Sequence, residues 1–130
     1  MIVVGTNVLV RLVFDTNSIS ADVRLRDREW AIPRLWRSEF RSALAGMIRV
    51  QGLPPEQASD AFRRAEALVS VESEADTAEI IALVQRTNCT AYDLEFVAVA
   101  LSLGVPLVTN DKQVLAEFPA IAISLEAFAA

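Results

Sequence analysis

The sequence predicts an α/β sandwich with a mostly parallel sheet. Short apolar runs recur along the chain, among them Ile2-Val3-Val4 and Val105 to Thr109. Longer segments of helical composition separate them. Gly and Pro mark the boundaries, as at Gly5, Pro33, Gly52, Pro54-Pro55 and Gly104. Strands that alternate with helices are joined by crossovers, and crossovers give parallel pairing.

Each element follows from its residues. Ile2-Val3-Val4 reads as a buried strand ended by Gly5. Asn7 to Phe14 is an apolar run open to helix or strand. Asp15-Thr16-Asn17-Ser18 is a turn and cap signal. Ser20 to Glu29 is helical in composition. Pro33 biases Ile32 away from helix, so Ala31-Ile32-Pro33 reads as extended. A helix is expected from Leu35 to Val50, closed by Gly52. Pro54-Pro55 opens the next helix, which runs to about Val69. Val69 to Val71 is a candidate strand. Helices follow over Ala75 to Arg86 and Thr90 to Leu103, the second closed by Gly104. Val105 to Thr109 is a strand, Asp111 to Glu117 a short helix and Ala120 to Ser124 a strand.

The 130 residues fit one compact domain. At 53% hydrophobic, the chain carries more apolar material than a disordered segment would. No run of eighteen apolar residues predicts a membrane span. Met1-Ile2-Val3-Val4 lacks the positive start of a signal peptide, and Arg11 interrupts the apolar run. Cys89 is the only cysteine, so no internal disulfide forms. A cytoplasmic protein is expected.

The chain contains no histidine, which excludes Ser-His-Asp, Cys-His and histidine-based ribonuclease chemistry within it. Hydrolysis would have to use carboxylates, a metal or a partner's residue. Residues 1–64 carry net charge +3 and residues 65–130 net −8. Overall acidity argues against a non-specific nucleic-acid binder, whose affinity comes from a positive field. A local basic rim remains compatible with it. Eleven of the twelve basic residues are Arg, whose fork suits phosphate.

Three carboxylates stand out. On a helical wheel from Leu35, the apolar side chains Leu35, Trp36, Phe40, Ala43, Leu44, Met47 and Ile48 span roughly 0° to 220°, and Glu39 falls at about 40°. An acid on that face needs a partner. It is either a functional carboxylate, half of an ion pair with an Arg, or an edge position that reaches water. Asp93 opens a helix that is apolar almost all round, so the helix is central to the fold. Thr90 three residues earlier makes a capping-box pattern, which offers a purely structural account of Asp93. Glu95 is a weaker ligand candidate that points elsewhere. Asp111 follows an apolar strand, and ligands bind beyond the carboxyl ends of parallel strands. It would equally cap the next helix. Taken together, the three acids could converge at one sheet end, and oxygen-only ligands favour Mg2+ or Mn2+ over zinc.

These residues, in order, resemble a PIN domain of the VapC toxin type. Met1-Ile2-Val3-Val4-Gly5-Thr6-Asn7-Val8-Leu9 resembles its opening, with Gly5 where the family has Asp. Glu39 in Trp36-Arg37-Ser38-Glu39 matches the second acid. Asp93 in Ala91-Tyr92-Asp93 matches the third, and Asp111 in Leu107-Val108-Thr109-Asn110-Asp111 the fourth. The resemblance covers residue 2 to about 124. It implies a PIN-like three-layer α/β/α sandwich and a Mg2+- or Mn2+-dependent endoribonuclease. Glu39, Asp93 and Asp111 would be catalytic metal ligands, and Gly5 marks the position of the missing ligand. Thr6, Asn7 and Thr109 would support them through hydrogen bonds. The implied partners are RNA such as tRNA, a VapB-like antitoxin and a second copy of the chain.

Gly5 supplies no ligand. An inactivating substitution, a naturally silent binding module, or a register shifted so that Asp15-Thr16-Asn17 supplies the missing acid would each account for it. The shifted register makes Val8 to Phe14 the first strand and leaves Ile2-Val3-Val4 unassigned. A phosphoacceptor receiver domain is a further reading. It needs acids after the first strand and a late lysine, and Lys112 is the only lysine.

Overall fold

A computed structural model describes residues 1–15 and 19–130. It is an α/β/α sandwich around a five-stranded sheet, as the sequence predicts. The strands are β1 (Ile2–Val4), β2 (Trp30–Pro33), β3 (Val71–Ser73), β4 (Leu107–Val108) and β5 (Ala122–Ile123). Their order is β3-β2-β1-β4-β5, and every pairing is parallel.

The helices are α1 (Thr6–Phe14), α2 (Ile19–Arg26), α3 (Trp36–Gln51), α4 (Pro55–Leu68), α5 (Thr77–Arg86), α6 (Ala91–Leu103), α7 (Lys112–Glu117) and α8 (Leu125–Ala129). From β1 the chain steps to β2 and then β3. It returns through α5 and α6 to place β4 on the other side of β1. The direction of winding therefore reverses between β1 and β4. In parallel sheets a ligand crevice opens at that point, beyond the carboxyl ends of the strands.

The ambiguous run Asn7 to Phe14 folds as α1. Its buried residues Val8, Leu9, Leu12 and Val13 follow helical spacing. This removes the shifted-register reading, because Val8 to Phe14 form no strand and Ile2–Val4 do. The turn signal at Thr16 to Ser18 lies outside the described residues. The sheet order also departs from the 2-1-3-4-5 order of flavodoxin-like receivers.

α6 is apolar all round because it packs on β1, β2 and β4 while α5 covers another side. Leu94 and the whole stretch Phe96 to Ala100 are buried. Gly52 and Gly104 take φ values of 70° and 67°, the left-handed conformation that ends α3 and α6. The face of α3 toward the core is narrower than the wheel implies. Trp36, Phe40 and Leu44 are buried, whereas Ile48 is 38% exposed. Trp36 stacks on Phe62 of α4 at 5.2 Å between centroids, and both meet Phe40 edge-on. Arg37 lies over Trp36 and reaches Glu66 of α4 and Glu72 of β3, at 2.8 and 2.7 Å. It thereby ties α3 to both elements.

Several boundaries move. β3 begins two residues later than Val69, after Ser70 N donates to Trp30 O and aligns the pairing. β4 is shorter than Val105 to Thr109, since Pro106 has no N–H to contribute to a ladder. The last strand is shorter than Ala120 to Ser124, and α8 follows it where no element was expected. Ser124 Oγ accepts from Ala127 N at 3.2 Å and caps it.

Candidate active site

Thr6, Asn7, Glu39, Asp93, Thr109 and Asp111 line one cleft of about 110 Å³ with Gly5. Phe96, Leu107 and Val114 complete its walls. Every site residue singled out from the sequence is therefore at one place, at the switch point between β1 and β4. Glu95 is not part of the lining.

The local chemistry explains how each side chain is held. Val4 pairs with Val108 across β1 and β4, and Gly5 N donates to Val108 O at 2.9 Å. Gly5 and Thr109 thus emerge side by side. Thr109 is only 4% exposed, and its Oγ1 accepts from Asp111 N at 3.1 Å. That bond turns the chain so that Asp111 sits at the start of α7. There Asp111 Oδ1 accepts from Val114 N at 2.9 Å. Asp93 sits in the first turn of α6, with its N–H donated to Thr90 Oγ1 at 3.1 Å. Glu39 Oε1 accepts from Thr6 Oγ1 at 2.7 Å. The two residues come from α3 and α1.

No Arg or Lys lines this cleft, and among the described residues no ion pair includes Glu39. The expected alternative, an Arg partner for Glu39, is not realised. Burial raises the Glu39 pKa above the usual carboxylate value. The Thr6 hydroxyl opposes that rise, and the Asp93 and Glu95 charges add to it. Burial likewise raises Asp93, the Thr90 hydroxyl opposes, and the Asp111 charge adds. Glu95 is raised by burial and by Glu74. The cleft is short of positive charge.

The donor set is oxygen only, which suits a hard divalent ion. Among the described residues, no three His, Cys, Asp or Glu side chains converge closely enough to hold an ion by themselves. The fit is therefore to Mg2+ or Mn2+ held by one or two carboxylates, with water completing the shell. At Gly5 the backbone is extended, at φ −68° and ψ 150°. Any residue adopts that conformation. An added Cβ would lie 3.1 Å from Asn7 Oδ1 and 3.2 Å from Thr109 Oγ1. Both contacts are tight, so a side chain here needs Asn7 and Thr109 to give by a few tenths of an ångström.

Asn110 is a functional neighbour that the sequence reading overlooked. Its Oδ1 accepts from Leu125 N at 3.0 Å and fastens α8 to the strand end beside the cleft. Phe96 was legible as a wall, because it stands three residues from Asp93 on α6 and so on a neighbouring face.

A parallel α/β/α sandwich carries three acids and a buried Thr around one cleft at its switch point. The PIN domain family profile matches residues 2–121. The chain belongs to the PIN domain family. PIN domains are generally metal-dependent nucleases that act on RNA. Among solved structures, the chain is similar to PAE2754 from Pyrobaculum aerophilum. They share 25% identity and a TM-score of 0.83, over 98% of this chain and 91% of that one. No curated protein matches significantly. Among the described residues, no helix is long and apolar enough to cross a membrane.

Proposed function

We propose that this chain is the toxin half of a VapBC-type pair, an endoribonuclease whose own catalysis is curtailed by Gly5. The convergence of Glu39, Asp93 and Asp111 in one cleft without a cation carries this reading. A hard divalent ion, Mg2+ or Mn2+, would be held by carboxylates of this set and would supply positive charge for the scissile phosphate and for a bound water. Glu39, whose pKa burial raises and whose carboxylate Thr6 fixes, would accept a proton from the attacking water. Asp93 and Asp111 would be the residues that hold the ion. Thr109 and the α7 N–H of Val114 keep Asp111 in position. The substrate is RNA such as tRNA, in the cytoplasm. A VapB-like antitoxin restrains the protein, and two copies form the working dimer. The whole chain acts as one PIN-like domain.

Gly5 favours a second reading, a silent PIN-like module that works by binding antitoxin or RNA. It removes one of four carboxylates, and with it much of the attraction for a divalent ion. One experiment separates the two. RNA digestion and Mn2+ calorimetry are run on the chain and on Gly5→Asp. The nuclease reading expects feeble cleavage by the chain and metal-dependent cleavage by the variant. If the variant stays inert on RNA with metal present, the nuclease reading fails. If neither form binds Mn2+, the binding module stands.

A further inference from the structure

Tyr92 is the only tyrosine of the chain, and its side chain is 63% exposed. The other aromatic rings are buried or half-buried. Its position is not arbitrary. It is the second residue of α6, directly before Asp93. At about 100° per residue, Tyr92, Phe96 and Asp93 fall at roughly 0°, 40° and 100° on that helix. Phe96 and Asp93 both line the cleft. Tyr92 is not itself part of the lining, but it stands one turn before Phe96 on the same side of α6 and directly before Asp93.

The electrostatics of the cleft give this ring a task. Its lining has three acids and no Lys or Arg, and the chain carries net charge −5. No Lys or Arg of the lining offers phosphates a positive field there, and only a bound cation would. Affinity for RNA must then come in part from contacts that do not depend on charge. An exposed aromatic ring offers one, because every nucleobase has a π-face to lay on it. We propose that Tyr92 is a stacking platform for a nucleobase beside the scissile phosphate. This inference rests on the nuclease reading above for its choice of RNA.

Binding can be read on the chain with Gly5 in place, where turnover does not interfere. The probes are short single-stranded oligoribonucleotides, intact or with an abasic residue scanned through each position. Affinities are compared for the unchanged protein, Tyr92→Ala, Tyr92→Leu and Tyr92→Phe, with thermal unfolding as a control for folding. The expected result is that Tyr92→Ala weakens intact RNA roughly 5- to 150-fold. It also erases the penalty of one abasic position. Tyr92→Phe retains both affinity and penalty, and Tyr92→Leu does not. If Tyr92→Ala weakens intact and abasic RNA equally, or neither, the stacking role is wrong while the nuclease reading survives. If Tyr92→Leu matches Tyr92→Phe, plain apolar contact replaces stacking. If the unchanged chain binds no RNA at all, the stacking role is wrong, and the nuclease reading stands or falls on the digest with Gly5→Asp.

Discussion

Restoring a carboxylate at position 5 should cost the metal-free protein stability at neutral pH, and the cost should disappear with acid or with metal. The perturbation is Gly5→Asp. Two effects favour the variant. The extended backbone at Gly5 suits any residue, so losing glycine's unfolded freedom gains about 0.4–1 kcal/mol. Position 5 is also the N-cap of α1 and has no side-chain cap bond, and Asp there adds a few tenths. Two effects oppose it. The Cβ crowds Asn7 and Thr109 at 3.1 and 3.2 Å. Exposed Asn7 can swing away, but Thr109 is held by its bond from Asp111 N, so about 1 kcal/mol is a fair cost. A fourth negative charge roughly 7 Å from another, at an effective dielectric of about 20, costs about 2 kcal/mol. The net is a loss of about 2 kcal/mol. For 130 residues that lowers Tm by about 6–8 °C.

The sign with pH follows from the cleft's carboxylates. Glu39 and Asp93 have folded pKa values raised above their unfolded ones. Their contribution favours folding below the ordinary carboxylate pKa and is lost as pH rises through the elevated folded value. The deficit of Gly5→Asp should therefore appear near pH 7 and shrink toward pH 4. Saturating Mn2+ at about 100 times its Kd should return about 2.7 kcal/mol to the variant. It should return much less to the unchanged chain. The assay is calorimetric or fluorescence-monitored unfolding at both pH values, with and without Mn2+. Equal Tm shifts by Mn2+ in the two proteins, or a deficit that persists unchanged at pH 4, would refute the electrostatic argument.

Three further outcomes are expected. Glu39→Gln keeps an acceptor for the Thr6 hydroxyl but removes a charge short of partners, so it should stabilise the metal-free protein by roughly 0.5–2 kcal/mol at pH 7. Urea denaturation should show that gain fading at acid pH, and calorimetry should show weaker Mn2+ binding. Thr109→Val leaves Asp111 N without its acceptor in a tight corner, a loss of roughly 1–3 kcal/mol that urea denaturation would register. A double-mutant cycle of Arg37→Met with Glu72→Gln should give a coupling of about 1 kcal/mol or less, since the pair is partly exposed. That coupling should fall in high salt.

The layer order and most helices were legible because they rest on local periodicity and on Gly and Pro. The convergence of Glu39, Asp93 and Asp111 was not visible in any one helix. It is created by the return of the chain across β1 to β4, a pairing of residues a hundred positions apart. Glu39 shows the limit of a wheel. The wheel required a partner, but the partner is the Thr6 hydroxyl on α1 rather than a nearby Arg. Arg37, close in sequence, is committed to Glu66 and Glu72. For Asp93 and Asp111, helix capping and cleft lining proved compatible. Asp111 caps α7 and faces the cleft with the same carboxylate. The sequence alone had posed these as rivals. α8 was missed because its five residues carry too short a pattern to separate helix from strand.

The ordinary backbone at Gly5 has a consequence for the gene. A glycine at a left-handed turn is fixed, because any other residue would strain the chain there. Gly5 is not of that kind, as its dihedral angles admit aspartate directly. Glycine and aspartate codons of the matching third-base class differ only at the middle base. Where the Gly5 codon ends in a pyrimidine, a single transition would place aspartate there. The backbone does not oppose that exchange; only the crowding at Asn7 and Thr109 and the added charge do.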